Sequence, residues 1–404
     1  MDCKLEAHKQ NISDTYPIEI ISDDEIHSPP SKEDQATNDS SFDPFSPMTP
    51  EQERNIKRRF NELKSAQDEA TKEARAYMLD MYSLSEVSER SKFAERQKDM
   101  ELLRSVLHRM RAAQSWRALT PQPKNYNDIL DGLSKRYPHF HAVIETLRAR
   151  MRLNALKKYP VVDFGANILL LGAPGCGKSS FLYELGESLD TRFSSISCAS
   201  MSMAGDLTGL SVGWSTGHPG MIFDELVQQG CANPIILLDE VDKSQSEGSH
   251  LFVSALYTLL EKNNAREFKD EFVAVSIDAS RINWFASANE ISSLSAPIRD
   301  RFEVISVNPP SKDELRQILP QIYEQQVDNH GLQDVFSNKL PSEVIEKMLQ
   351  SDLSIRRLKA QLESAMAHAS IRADHSPAPL LLTPEDVPVD NQDQTNSRKI
   401  GFIH

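Results

Sequence analysis

From Ala166 onward, apolar and polar positions fall into alternating blocks. Five short apolar runs stand out: NILLLG (167–172), RFSSISCA (192–199), PIILLDE (234–240), INWFASA (282–288) and FEVISV (302–307). The first and third are almost continuously apolar, as strands covered on both faces are. Stretches of helical period separate them. Such alternation predicts an α/β fold: a parallel five-stranded sheet between helices, spanning 125–310 with its leading helices. Pro309-Pro310 breaks the chain, and Ser311-Lys312-Asp313-Glu314 has the pattern of a capping box opening a helix. Segments 311–327, 341–351 and 355–373 are helical in period, and Thr383-Pro384-Glu385-Asp386 can open one more turn. A helical domain is therefore expected over 311–387.

Upstream the texture differs. Ile56, Phe60, Leu63, Ala66, Ala70, Ala74, Tyr77, Met81 and Leu84 recur three or four residues apart, which predicts one apolar stripe on a long helix. Met100, Leu103, Leu107 and Met110 make a second stripe. Residues 51–124 thus read as helical, either as a coiled coil or hairpin or as helices packed on their own domain. One or two further helices are expected in 125–160. The basic run Arg148, Arg150, Arg152, Lys157 and Lys158 reads as a solvated or phosphate-facing surface, with nucleic-acid contact as the alternative. Residues 1–50 are rich in Asp, Glu, Ser and Pro, and 388–404 are polar. Neither stretch has the bulky apolar residues that offset chain entropy, so an acidic disordered leader and a loose tail are expected.

Composition narrows the function classes. The chain has 404 residues and a formal charge of −14. That balance argues against broad nucleic-acid binding, which needs many Lys and Arg for counterion release. Cys3, Cys176, Cys198 and Cys231 are scattered, with no zinc spacing. No apolar stretch approaches the roughly 20 residues that span a bilayer. The N-terminus lacks the basic-then-apolar order of a secretory signal. A cytoplasmic protein with no membrane partner is expected.

The chemistry concentrates in three strand ends. After the first run comes Gly172-Ala173-Pro174-Gly175-Cys176-Gly177-Lys178-Ser179, followed by Ser180 and a helix-compatible segment. This is the G-x-x-x-x-G-K-[ST] phosphate loop in its strand–turn–helix setting. Its glycines let the backbone aim N–H groups at phosphates, Lys178 reaches the outer phosphates, and Ser179 can ligate Mg²⁺. Cys176 reads as a small filler or, because helix N-termini lower thiol pKa values, as an oxidation-sensitive thiol. The third run ends in Asp239-Glu240: Asp239 for magnesium, Glu240 to accept a proton from the attacking water. Adjacent strand residues point differently, which suits two distinct jobs. The fourth run ends at Asn289, where doubly wound sheets bind ligands and where an amide can bridge a γ-phosphate and the lytic water. Arg301, with Arg299 as rival, can neutralise phosphoryl charge from a neighbouring subunit. Arg356, with Arg357 as rival, opens a helix of the small domain and can report nucleotide state to it.

In this order, the motifs resemble those of an AAA+ ATPase, and more narrowly the ATPase module of the Lon family. SALYTLLEKNNAREFKDEFVAVSIDASRINWFASAN (254–289), ASANEISSLSAPIRDRFEVI and NPIILLDEVDK are similar to the family's corresponding stretches. The resemblance covers roughly residues 140–385. It implies that Arg301 is the arginine finger, that ATP and Mg²⁺ are the cofactors, and that the active form is a homo-hexameric ring acting on a protein client. GLSVGWSTGHPG (209–220) matches the loop with which Lon-type proteins grip polypeptide, and Trp214 falls at its aromatic position, with core packing as the alternative. The family's Ser-Lys peptidase domain has no counterpart before the chain stops, so peptidase activity is not expected to carry over, and a separate partner protease is conceivable. The expectation is an ATP-driven remodelling or translocating motor. The alternatives are a nucleotide-switched scaffold and a nucleic-acid-associated motor.

Overall fold

The computed structural model describes residues 75–97, 100–199, 204–243, 250–351, 354–372 and 379–388. The leader expected over 1–50, the first part of the long helical stripe (Ile56 to Ala74) and the tail from 389 onward lie outside them.

The described chain opens with β1 (Met78–Asp80), α1 (Leu84–Glu95), α2 (Glu101–Ala113) and β2 (Trp116–Ala118). Helices α3 (Tyr126–Arg136) and α4 (His141–Asn154) lead into β3 (Ile168–Leu171), α5 (Lys178–Ser188) and β4 (Phe193–Ser197). Two short helical pieces, α6 (Ala204–Thr208) and α7 (Met221–Phe223), precede β5 (Ile235–Asp239), α8 (His250–Leu259) and α9 (Lys262–Ala265). A small hairpin, β6 (Phe268–Lys269) and β7 (Ser276–Ile277), leads to β8 (Asn283–Ala288), α10 (Ala296–Arg299) and β9 (Glu303–Ser306). The lid follows: α11 (Lys312–Asn329), α12 (Ser342–Met348) and α13 (Ile355–Arg372).

All five apolar runs become strands of one parallel sheet in the order β4-β5-β8-β3-β9. Side chains alternate across it, so neighbours in sequence enter different cores. Leu169, Ile236, Leu238 and Ala286 face a cluster shared with α2, while Ile168, Leu170, Ile235, Leu237 and Phe285 face α3, α4 and α5. The lid has a third cluster of its own, built on Leu319, Tyr323, Leu358 and Leu362. Its first helix opens as the sequence predicts, with the Ser311 side chain on the Glu314 N–H and the Glu314 side chain on the Ser311 N–H.

The N-terminal expectation needs correction. Tyr77, Met81 and Leu84 do not share a helix. Met78–Asp80 is a strand paired antiparallel with Trp116–Ala118, and the Leu119 N–H donates to the Tyr77 carbonyl at 2.7 Å. The i, i+4 spacing mimicked a helical stripe because Met81 and Tyr82 turn into the core directly after the strand. By contrast, Leu103, Leu107 and Met110 of α2 are fully buried, and in the same cluster as the sheet.

Two arginines fasten this N-terminal segment. Arg117, 5 % exposed, donates Nε and Nη2 to the Val227 carbonyl and Nη1 to those of Gln114 and Trp116. Arg90 of α1 donates to the Val273 and Phe272 carbonyls. The basic run on α4 is engaged locally: Arg148 with Asp131 and Glu145, Arg150 with Glu303, Lys157 with Asp163. Among the described residues, no helix is long and apolar enough to cross a membrane.

Candidate functional site

The phosphate loop leaves β3 at its C-terminal end and is tied to the neighbouring strands. The Gly172 N–H donates to the Ala288 carbonyl at 3.0 Å, and the Val307 N–H to the Leu171 carbonyl at 2.7 Å. A Cβ at Gly172 would fall 2.3 Å from the Val307 carbonyl oxygen, so only glycine fits that close approach. Gly175 and Gly177 have φ of +76° and +98°, left-handed conformations that return the loop to the start of α5. The loop's N–H groups and the positive end of this 11-residue helix converge there.

Lys178 is 8 % exposed, and its Nζ donates to the carbonyls of Gly172 (2.7 Å) and Ala173 (3.2 Å) and to Asn289 Oδ1 (3.2 Å). Ser179 Oγ donates to Asp239 Oδ2 at 3.1 Å. Lys178, Ser179, Asp239 and Asn289 therefore lie together at the C-terminal ends of β3, β5 and β8. Among the described residues no group of three or more His, Cys, Asp or Glu could hold a metal alone. One hydroxyl and one carboxylate suit Mg²⁺, which keeps waters and takes substrate phosphate oxygens for the rest of its shell. Ala173, Pro174 and Ser180 are exposed around this cradle.

Glu240 sits just past the strand with φ +54°, a left-handed conformation rare for a non-glycine residue. Such strain collects at functional positions. Its N–H donates to Ser287 Oγ at 3.0 Å, and its carboxylate meets Lys243 Nζ at 2.8 Å. Two residues that sequence reading missed fix this geometry. Ser287 donates its hydroxyl to Asp239 Oδ1. Asp242 Oδ2 accepts from the N–H groups of Asn289 (2.9 Å) and Glu290 (3.1 Å), which pins the end of β8 to the turn after β5. The available signal was an acid placed just after the strand-ending pair.

Cys176 is buried, and burial pushes its thiol up despite nearby Lys178. That direction favours the filler reading over an oxidation-sensitive thiol.

Tyr137 and His139, also missed, border the loop from the start of α4. Tyr137 packs edge-on against Phe140 and Phe181 and lies 3.9 Å from a Cβ built on Gly177. His139 Nε2 donates to the Cys176 carbonyl at 2.8 Å, and burial holds its pKa below the usual histidine value. Its Nδ1 is buried with no hydrogen-bond partner among the described residues, an acceptor in the neutral ring that burial favours. On the lid side, a Cβ at Gly175 would meet Ser354 Oγ at 3.2 Å and Arg356 Cβ at 3.4 Å. Arg356 rather than Arg357 thus flanks the loop.

Arg301 lies elsewhere. Its Nη1 donates to the Pro297 carbonyl at 2.7 Å, and its guanidinium stacks 4.7 Å from the Tyr257 ring centre. It precedes β9, whose first residue Glu303 pairs with Ile168, whereas the phosphate loop departs from Leu171. Strands rise about 3.3 Å per residue, so Arg301 stands beyond the opposite, N-terminal end of the strands, roughly 15 Å or more from the loop. Arg299 is exposed one residue beyond α10's buried Ile298.

Trp214 is 67 % exposed, which removes the core-packing alternative. It occupies the tip of a loop closed by a Leu210–His218 bridge, with its own N–H on the Ser211 carbonyl (3.0 Å) and its carbonyl accepting from Gly217 (2.9 Å).

The chain is similar in sequence and fold to known proteins. Residues 168–310 match the family described as ATPase family associated with various cellular activities (AAA). The chain is 28 % identical over 242 residues to Lon protease homolog 2, peroxisomal, of Arabidopsis thaliana, covering 58 % of this chain and 26 % of that protein. It is 28 % identical over 249 residues to the Lon protease of Desulfovibrio desulfuricans, covering 61 % and 28 %. The chain thus spans about a quarter of the length of these relatives. In fold it is similar to S. cerevisiae Hsp104, solved in a complex with casein, with a TM-score of 0.52 at 15 % identity over 62 % of this chain and 48 % of that one.

Proposed function

Starting from an AAA domain of Lon-like sequence, we propose that this chain binds and hydrolyses ATP with Mg²⁺ as a ring, a homo-hexamer by family likeness, and uses the energy to move or remodel a protein client in the cytoplasm. The observation that carries the reading is the gathering of Lys178, Ser179, Asp239 and Asn289 on a glycine cradle at one end of the sheet, with Arg301 at the other end.

The triphosphate would lie on the loop N–H groups, with Lys178 against its outer oxygens. Ser179 and Asp239 would hold Mg²⁺, which supplies charge neutralisation of the phosphoryl oxygens when bound. The base would lie against Tyr137 and His139, whose unpaired Nδ1 suits an amino-group donor. Glu240 would take the proton of the attacking water once its carboxylate leaves Lys243, and Asn289 would orient that water after Lys178 turns from it to phosphate. Arg356 would carry nucleotide occupancy to the lid. Arg301 cannot reach its own loop across the sheet, which supports a role on the neighbouring subunit's nucleotide. Trp214, exposed on its loop, suits a polypeptide grip because an indole offers a large amphipathic contact area. Engagement of Arg148 and Arg150 by carboxylates disfavours the nucleic-acid alternative.

Mixing two inactive variants tests this reading. Glu240→Gln and Arg301→Ala are each expected to bind ATP-Mg²⁺ with turnover lowered at least about 100-fold, a finger arginine alone supplying about 10³–10⁵. In mixed assemblies an Arg301→Ala subunit keeps its own Glu240 and receives Arg301 from a Glu240→Gln neighbour, so part of the turnover returns. Absence of any rescue in assemblies shown to contain both chains would sink the trans assignment.

A further inference from the structure

We propose that Asp270 positions the Trp214 loop, locking both ends of that loop onto the β6–β7 hairpin; this deepens, and rests on, the reading of Trp214 as a polypeptide grip. The two ends of the loop carry no side chains that could brace them against each other. They are Gly209 and Gly220, and a Cβ at Gly220 would fall 2.3 Å from the Gly209 nitrogen. Two bare backbones in contact need an outside anchor.

Asp270, which is 0 % exposed, supplies one. Its Oδ2 accepts from the Gly220 N–H at 2.7 Å, and its Oδ1 accepts from the N–H groups of Phe272 and Val273 at 2.9 Å each. A Cβ at Gly209 would lie 2.5 Å from the same Oδ1, so the carboxylate also presses on the other end of the stem. Next to it, the Glu271 N–H donates to the carbonyl of Thr208, the residue before Gly209, at 2.8 Å. The hairpin that carries Asp270 is held in turn from behind, where Arg90 of α1 donates to the Val273 carbonyl at 3.0 Å and the Phe272 carbonyl at 3.4 Å. The Trp214 loop is thereby bonded through Asp270 to the hairpin, and through Arg90 to the N-terminal helices.

The chemistry of the anchor is informative. No Lys, Arg or His forms an ion pair with Asp270 among the described residues. Burial raises its pKa, the three N–H donors oppose this and Asp224 adds to it, leaving it at about 6. An ionised, uncompensated carboxylate in the core is a poor stabiliser. What it offers over an amide is two acceptor oxygens, one for the hairpin and one for the loop.

Asp270→Asn separates these roles. One oxygen still serves Phe272 and Val273, while the new NH₂ confronts the Gly220 N–H. In the full chain, hydrogen exchange over 209–220 is expected to accelerate about tenfold, with exchange in β3, β5 and β8 unchanged. The casein concentration giving half-maximal stimulation of ATP turnover should rise about tenfold, with the plateau rate within about twofold of wild type. The melting temperature should change little, loss of the Gly220 hydrogen bond being offset by removal of the buried charge, whereas a residue kept only for stability would lower it clearly. Unchanged exchange over 209–220, or a lowered melting temperature with all rates falling together, would overturn the proposal. If Asp270→Asn does not fold, Arg90→Gln must accelerate the same exchange by releasing the hairpin from behind, and unaltered exchange there counts as refutation. A wild-type chain that casein fails to stimulate would reject the grip reading of Trp214 while exchange still decides the role of Asp270.

Discussion

Asp270 at the base of the Trp214 loop and Asp386 beneath the lid are both buried carboxylates that accept backbone N–H groups, yet they titrate in opposite directions. Burial pushes both upward. At Asp386 it is outweighed, because Arg372 donates to both oxygens at 2.9 and 2.8 Å and Thr383 adds its N–H and hydroxyl. Its pKa is held below the usual carboxylate range. Asp270 has three N–H donors and no cation, and rises from 3.8 to about 6. At neutral pH that displacement corresponds to a cost of roughly 3 kcal/mol of folding free energy. The lid aspartate is what a structural carboxylate looks like. The one under the loop is held less favourably ionised than protonated, so its value lies in where it holds the backbone.

Gly209→Ala gives the largest effect by which this contrast can be broken. Its methyl would meet Asp270 Oδ1 at 2.5 Å at a residue with φ +88°, so a loss of about 3 kcal/mol in urea denaturation is expected, with the Trp214 loop the first segment to open in hydrogen exchange. A tolerated methyl would mean that the carboxylate does not press on this stem. Next comes Arg372→Ala, which strips the cation from Asp386. The guanidinium is open to solvent, which screens the pair, so a loss in urea denaturation smaller than that of Gly209→Ala is expected. No loss of stability would place Asp386 in the same class as Asp270.

The smallest effect is the slope with pH. A carboxylate whose folded pKa is raised binds its proton more tightly in the folded state, so its contribution improves as pH falls through about 6 towards 4. Asp386, with a lowered folded pKa, contributes fully above its unfolded value and loses that contribution only as pH falls below it. Between pH 7.5 and 5.5, wild type should therefore gain stability relative to Asp270→Asn, by about 1 kcal/mol or less. Asp224, which raises the Asp270 pKa and is itself raised by burial, loses that neighbour in Asp270→Asn, so the comparison is repeated in an Asp224→Asn background; Gln228, Arg109, Glu225 and His218 surround Asp224 in both chains. A constant difference across this range would show that Asp270 does not titrate there.

The sheet and the phosphate cradle were legible because local pattern dictates them. Continuous apolar runs such as Ile235–Leu238 have no stable place except a strand covered on both faces, and the glycines at 172, 175 and 177 have conformational needs that only a tight anion-binding turn explains. What escaped reading is made of contacts between distant residues. Asp242 matters because it accepts from the backbone of Asn289, and Asp270 because it accepts from Gly220; an acid after Asp239-Glu240 hints at the first, but nothing local names either partner. The β1 strand was hidden for the same reason. Met78–Asp80 has nothing strand-like in its own pattern and is drawn out by Trp116–Ala118.

Arg117 carries one more consequence, for the order in which the molecule is made. The face of α2 with Leu103, Leu107 and Met110 is synthesised early, but the carbonyl that receives Arg117 belongs to Val227, and the N–H that closes on Met81 belongs to Asp278. At about 5–20 residues per second, the ribosome needs roughly 10–30 s to pass from Ala118 to Asp278. For that interval the apolar face of α2 waits for the sheet that will cover it, which is completed only from residues made later.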